Sequence, residues 1–184
     1  LQENRSFPPP ADFARLANIS SETQYQQMWQ RAKDDPAGFW GELSQNLHWF
    51  RKWDHVLQGD MPDTRWFVGG KLNLAHNCLD RHLNSARRNK AAIIWEGEPG
   101  DIRTLTYQQL HSEVSKCANV LKSLGVKKGD RVAVAMRNFP EWIISFAAII
   151  SVGAVGVDRS GMMTTRERWS HAPCKIKIKK PYTH

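Results

Sequence analysis

The feature that most restricts the fold is the run from Arg131 to Val157, RVAVAMRNFPEWIISFAAIISVGAVGV. Arg131 to Met136 is small and branched with no polar alternation, the mark of a strand covered on both faces. Pro140 suits the first turn of a helix. The helix it opens, to about Ser151, is apolar nearly all round through Trp142, Ile143, Ile144, Phe146, Ile149 and Ile150, so it asks for burial inside a larger domain. Gly153 then leads into a second short strand at Ala154 to Val157. Upstream, Ile102 to Thr106 and a helical stretch after it extend the alternation to strand, helix, strand, helix, strand. The fold class expected is α/β: a partial open, mostly parallel sheet flanked by helices, with a helical N-terminal wrapping segment.

The hydrophobic period changes along the chain. Ala11 to Ala17 suits a turn or two of helix after the stiff Pro8-Pro9-Pro10. Ser21 with Gln24 suits a helix N-terminus, and Tyr25, Met28, Trp29 and Ala32 follow at helical spacing. Pro36 opens another helix, with Phe39, Trp40, Leu43 and Leu47 along one side. Five of the eight tryptophans lie between Trp29 and Trp66, and side chains of that size on short elements need a surface to bury against. Residues 71–88 read as one helix. Ala91 to Trp95 and Ile102 to Thr106 read as a hairpin about the turn EGEPGD at 96–101. Thr106 and Gln109 form a capping box for a helix whose stripe is Leu110, Val114, Cys117 or Ala118, Leu121 and Leu124, stopping at Gly125. After Val157 no period is sustained, although KIKIKK at 175–180 alternates as an edge strand would.

Several stretches resemble the opening of acetyl-CoA synthetases of the AMP-forming acyl-CoA synthetase type, within the adenylate-forming enzyme superfamily. They are FPPPADFARLANI at 7–19, DDPAGFWGEL at 34–43, WFVGGKLNLAHNCLDRHL at 66–83, AAIIWEGEPGDIRTLTYQQLHSEV at 91–114 and ANVLKSLGVKKGDRVAV at 118–134. LNLAHNCLDRH is the most specific of them; GVKKGDRVAV is shared across the wider superfamily. The resemblance divides the chain into a helical N-terminal extension of the acetyl-CoA synthetase type (1–70), the first part of the adenylate-forming domain (71–157) and a divergent basic tail (158–184). Residues 137–157 look more like ligases of longer acyl chains. The Phe-Gly-Gly-Phe-Ser stretch and arginine pair that serve coenzyme A in acetate enzymes are not reproduced in DRSGMMTTRERWSHAP.

The full-length family joins a carboxylate to AMP from ATP with Mg²⁺, releases pyrophosphate and passes the acyl group to coenzyme A. The resemblance places its phosphate loop, acyl pocket, ribose-binding aspartate and catalytic lysine downstream. This chain is therefore expected to be a truncated N-terminal segment, inactive alone, with no catalytic, cofactor-binding or metal residues of its own. Neither G-x-x-x-x-G-K-[ST] nor G-x-G-x-x-G occurs, and Gly69-Gly70 and Gly97-x-x-Gly100 read as turn glycines.

Other constellations have plainer readings. On one continuous helix His76 and Asp80 share a face about 200° from Cys78 and His82, so the four cannot converge on one ion. Glu96 and Glu98 fall in a solvated turn, with nothing to desolvate either for acid catalysis. Two alternatives to the ligase segment stay open: a non-catalytic partner or regulatory fragment, and a basic nucleic-acid-binding module built on FRKWDHV at 50–56 and the tail. The net charge of +8 is lopsided, since residues 158–184 hold seven Lys/Arg against two Asp/Glu, which leaves the body nearly balanced and disfavours nucleic acid. The most apolar stretch, Trp142 to Val157, falls short of the roughly 20 residues of a membrane span. LQENRSFPPP has no secretory pattern, and three scattered cysteines suit a reducing cytoplasm. Self-association through an exposed apolar surface is expected as well.

Overall fold

The computed structural model describes residues 7–136 and 139–158, and the backbone of 175–179. The chain forms two compact units, Leu1–Lys71 and Leu72–His184.

In the first unit, α1 (Ala11–Leu16), α2 (Glu22–Asp34) and α3 (Pro36–Leu43) precede the antiparallel pair β1 (His55–Gln58) and β2 (Arg65–Val68). The helix starts follow local chemistry. The Ser21 hydroxyl accepts the Gln24 N–H at 3.2 Å, and the Asp35 carboxylate accepts the Gly38 N–H at 2.9 Å with Pro36 at the first helical position. Packing centres on rings: Trp49 lies 4.9 Å from Trp53 and 5.3 Å from Phe67, and Trp53 lies 5.4 Å from Phe67. Phe67 has φ 49°, a left-handed conformation costly for a side chain of its size. The Gly70 N–H donates to the Phe67 carbonyl at 3.0 Å, and a Cβ at Gly70 would fall 2.7 Å from the Trp49 ring. Gly70 therefore does more than permit a turn: it makes room for the ring cluster.

In the second unit the continuous helix expected over 71–88 is replaced by α4 (Leu74–Cys78) and two 3₁₀ turns, Asp80–His82 and Ala86–Asn89. The helix breaks at Leu79, whose backbone (φ −131°, ψ −68°) leaves the helical region while its side chain is buried in the core. Tertiary burial of one leucine outweighs local propensity there. The hairpin forms as β3 (Ala91–Glu96) and β4 (Ile102–Thr106), antiparallel with an irregularity between Ala91 and Ile93. Both halves of the Thr106/Gln109 capping box are made at the start of α5 (Tyr107–Ser123). Leu110, Val114, Ala118 and Leu121 are buried along it as their spacing predicts, but Leu124 is exposed and Val126, past Gly125, takes the inward place.

β5 (Arg131–Ala135), α6 (Pro140–Ser151) and β6 (Val155–Asp158) form a parallel strand–helix–strand unit, with Arg131 opposite Val155 and Ala133 opposite Val157. β7 (Lys175–Lys179) adds an antiparallel strand on the other edge of β5, giving the order β6-β5-β7. Part of the stretch assigned to the divergent basic tail is therefore a strand, at the alternating KIKIKK; the rest of 158–184 after Asp158 lies outside the described residues, as do Arg137 and Asn138. The class is α/β with small, open, partial sheets; β5–β6 is the parallel pair among the described strands and the other pairs are antiparallel. Val132, Val134, Ala148 and Ile149 are fully buried at the centre of the core. Among the described residues, cover on both faces of β5 is not observed. Val132 and Val134 are sealed, whereas Ala133 and Ala135, which point the other way, are only half-buried.

Candidate functional site

A concavity lies where the hairpin meets the start of α6. Ring packing joins them, with Trp95 of β3 5.4 Å from Phe139, the residue before the helix. An ion pair between Arg103 of β4 and Glu141 in the first turn of α6 adds a second link. Between them opens a groove of about 270 Å³, walled by Ile93, Ile94 and Trp95 on the hairpin side. Phe139, Pro140, Trp142 and Ile143 form the helix side. Trp142 stacks on Phe146 at 4.6 Å, and its indole N–H reaches the Asp158 carboxylate at 3.4 Å. The Phe146 ring lies over Gly156, where a Cβ would fall 2.7 Å from it, so this glycine lets α6 settle on β6.

The walls hold no nucleophile and no titratable group. Beside them, burial pushes the Glu141 carboxyl up, but the hydrogen bond and charge of Arg103, with a backbone hydrogen bond, leave it below the usual range. It stays an anion matched to Arg103. Such a surface can bind apolar groups and is not built to move protons.

The residues singled out from sequence are dispersed. His76 Nδ1 lies 3.5 Å from one Asp80 oxygen, and the other Asp80 oxygen is 3.7 Å from His111 Nε2. His111 was not legible as a partner, because α5 brings it to Asp80 only through tertiary packing. Cys78 is an exposed free thiol, and His82 instead packs edge-on against the Tyr107 ring at 5.3 Å. Among the described residues no group of three or more His, Cys, Asp or Glu is arranged to hold a metal. Glu96 and Glu98 are exposed. In FRKWDHV, Trp53 is committed to the ring cluster of the first unit and Arg51 pairs with Asp54 at 3.1 Å, so the segment is not an open stacking platform. Among the described residues no helix is long and apolar enough to cross a membrane.

Residues 25–78 match the family described as acetyl-coenzyme A synthetase N-terminus, and residues 79–168 match the AMP-binding enzyme family. This chain belongs to the acetyl-coenzyme A synthetase family. An acetyl-coenzyme A synthetase of Chlorobaculum tepidum is 52% identical over 155 residues, covering 84% of this chain and 24% of the relative. One from Gemmatimonas aurantiaca is 42% identical over 181 residues, covering 97% of this chain and 27% of its own length, so family similarity continues past Val157 into the final stretch. Among solved structures, the acetoacetyl-CoA synthetase from Streptomyces lividans superposes with a TM-score of 0.68 at 26% identity, over 81% of this chain and 23% of that one. The chain thus spans about a quarter of the length of the acetyl-coenzyme A synthetases it matches.

Proposed function

We propose that this chain is the N-terminal segment of an AMP-forming acyl-CoA ligase, contributing scaffold rather than chemistry. The whole enzyme would convert ATP, a carboxylate and coenzyme A into acyl-CoA, AMP and pyrophosphate, with Mg²⁺ at the phosphates. Residues 1–70 would be the helical extension, 71–157 the first part of the adenylate-forming domain, and 158–184 a divergent basic end. The observation that carries this reading is the match of both family models to a chain a quarter as long as its relatives.

The residues present do not suit the phosphates of ATP, which need converging N–H groups and cations. The hairpin turn carries Glu96, Glu98 and Asp101 beside Gly97 and Gly100, and so repels phosphate. At the other glycine-bearing turn the Lys127 N–H is already donated to Asp130 Oδ2 at 2.8 Å. No catalytic, cofactor or metal role is therefore assigned to residues of this segment. Cys78 and Cys117 are in no disulfide, which favours a reducing, cytoplasmic setting. The test is acetate- or longer carboxylate-dependent exchange of pyrophosphate into ATP with Mg²⁺: the chain alone should stay at the level of a heat-killed control, and exchange above it would overturn the proposal.

A further inference from the structure

We propose that the 3₁₀ turn Ala86–Asn89, with Lys90 after it, is a docking surface for an extended, carboxylate-rich segment of a partner protein. The proposal is independent of the ligase reading. From Arg81 to Trp95 the chain holds four Lys/Arg and no Asp or Glu. Three of the four, Arg87, Arg88 and Lys90, fall close together, and all three are exposed. In a 3₁₀ turn residues three apart eclipse, so the Arg87 and Lys90 positions lie on one side, with Arg88 next to them. Among the described residues none of these three has a carboxylate partner, whereas in the same unit Arg103 pairs with Glu141 and Lys116 with Glu113.

The turn is held in place from within. The Ser85 hydroxyl accepts the Arg87 N–H at 3.3 Å, the Ser85 carbonyl accepts the Arg88 N–H at 3.1 Å, and the Lys90 N–H is donated to the Arg87 carbonyl at 2.9 Å. The Lys90 carbonyl accepts the Tyr107 N–H at 3.1 Å, which ties the turn to the start of α5 and adds the positive end of that helix dipole. Gln108 Oε1 accepts from Arg88 Nε at 3.4 Å and Nη2 at 3.2 Å, holding the guanidinium and leaving Nη1 for an outside acceptor. The charges act on the fold itself: after burial, Arg87 and Arg81 hold the His82 imidazole below its usual range. Repulsion kept at one exposed turn is a local conflict of the kind that recognition sites carry. The chemistry of the partner follows from the donors left over. The N–H groups of Arg87, Arg88 and Lys90 are spent inside the turn, so none converges on a phosphate, and the Tyr107 ring beside them is taken by His82 rather than open to a base. What remains is long cationic side chains, two of them forks that match carboxylates.

The experiment titrates the full chain into a fluorescein-labelled hexaglutamate peptide at low salt and reads binding by anisotropy. The chain should bind the peptide, and Arg87→Glu combined with Arg88→Glu should weaken binding about tenfold or more. Arg87→Gln with Arg88→Gln, which removes the charges without reversing them, should give a smaller loss. Lys122→Glu, also exposed but in the last turn of α5, should leave binding unchanged, and thermal melts check that each variant folds. No binding, or binding that neither double variant changes, would overturn the proposal, the second result by assigning the contact to basic residues elsewhere in the chain. A loss as large with Lys122→Glu would overturn it too, since net charge alone would then explain the affinity. So would an oligothymidylate or a phosphatidylserine vesicle that binds more tightly than the peptide and is lost with the same arginine variants.

Discussion

The two units use apolar residues in opposite ways. Leu72–His184 buries a continuous aliphatic cluster from Leu79 to Ala154, with Val132, Val134, Ala148 and Ile149 sealed. In Leu1–Lys71 the buried residues among those described are Phe39 and Ser44, while Phe13, Tyr25, Trp29, Trp40 and Phe50 are exposed. The rings that meet form the Trp49–Trp53–Phe67 cluster and the edge-on pair Phe39–Trp40 rather than a shell. Large aromatic content is thus no measure of a core: an amphipathic helix gains only when a second layer covers its face, and Tyr25 and Trp29 of α2 and Trp40 of α3 stay exposed.

The sharpest way to break this contrast is to truncate one large apolar side chain in each unit. Ile149→Ala removes a sealed side chain and should cost about 2–5 kcal/mol of the second unit's stability, whereas Trp29→Ala, half-exposed, should cost less than about 1 kcal/mol. Urea unfolding followed by circular dichroism measures both; equal losses would mean that the first unit has a core comparable to the second. A smaller effect tests whether the ring cluster orders the first unit. Gly70→Ala forces a methyl against Trp49 and the Phe67 carbonyl and should cost about 1–3 kcal/mol, with loss of near-ultraviolet tryptophan signal. An unchanged spectrum would show that the rings are loosely held.

Within the second unit, Thr106→Ala deletes the N-cap of α5 and should lower stability by about 1 kcal/mol. Ser21→Ala, at the start of α2, which has no buried residue, should lower helix content without altering the main unfolding transition. The mildest test uses pH. Burial, then the positive charges of Arg87 and Arg81, hold the His82 imidazole below its usual range. The unfolded chain therefore takes up a proton first, near pH 6.5. The contribution of His82 is fully present above that pH and is lost as pH falls towards the folded value. His82→Gln should flatten the decline in melting temperature between pH 7 and pH 5, and an identical decline would assign it to other groups.

Legibility followed the range of the interactions. The hairpin, the capping box and the strand–helix–strand unit join elements adjacent in sequence and stand where alternation and spacing put them, as does the stripe of α5 up to Leu121. The helix over 71–88 failed because its period was right but one member, Leu79, was claimed by a core built from residues far along the chain. The groove was half visible: Trp142 and Ile143 could be named as apolar residues in search of cover. That Trp95 and Ile93 would face them was not, since the hairpin closes on α6 by way of Trp95–Phe139 and Arg103–Glu141.

The amino-acid sequence by itself determined the family, the α/β class and the identity of most elements, because motif register and hydrophobic period are properties of near neighbours. Tertiary structure alone decided which face of β5 is sealed, that Phe67 adopts a left-handed backbone under three neighbouring tryptophan rings, and that Asp80 sits between His76 and His111. Each of these depends on groups brought together across tens of residues, where burial of the whole core outweighs the preference of any single segment.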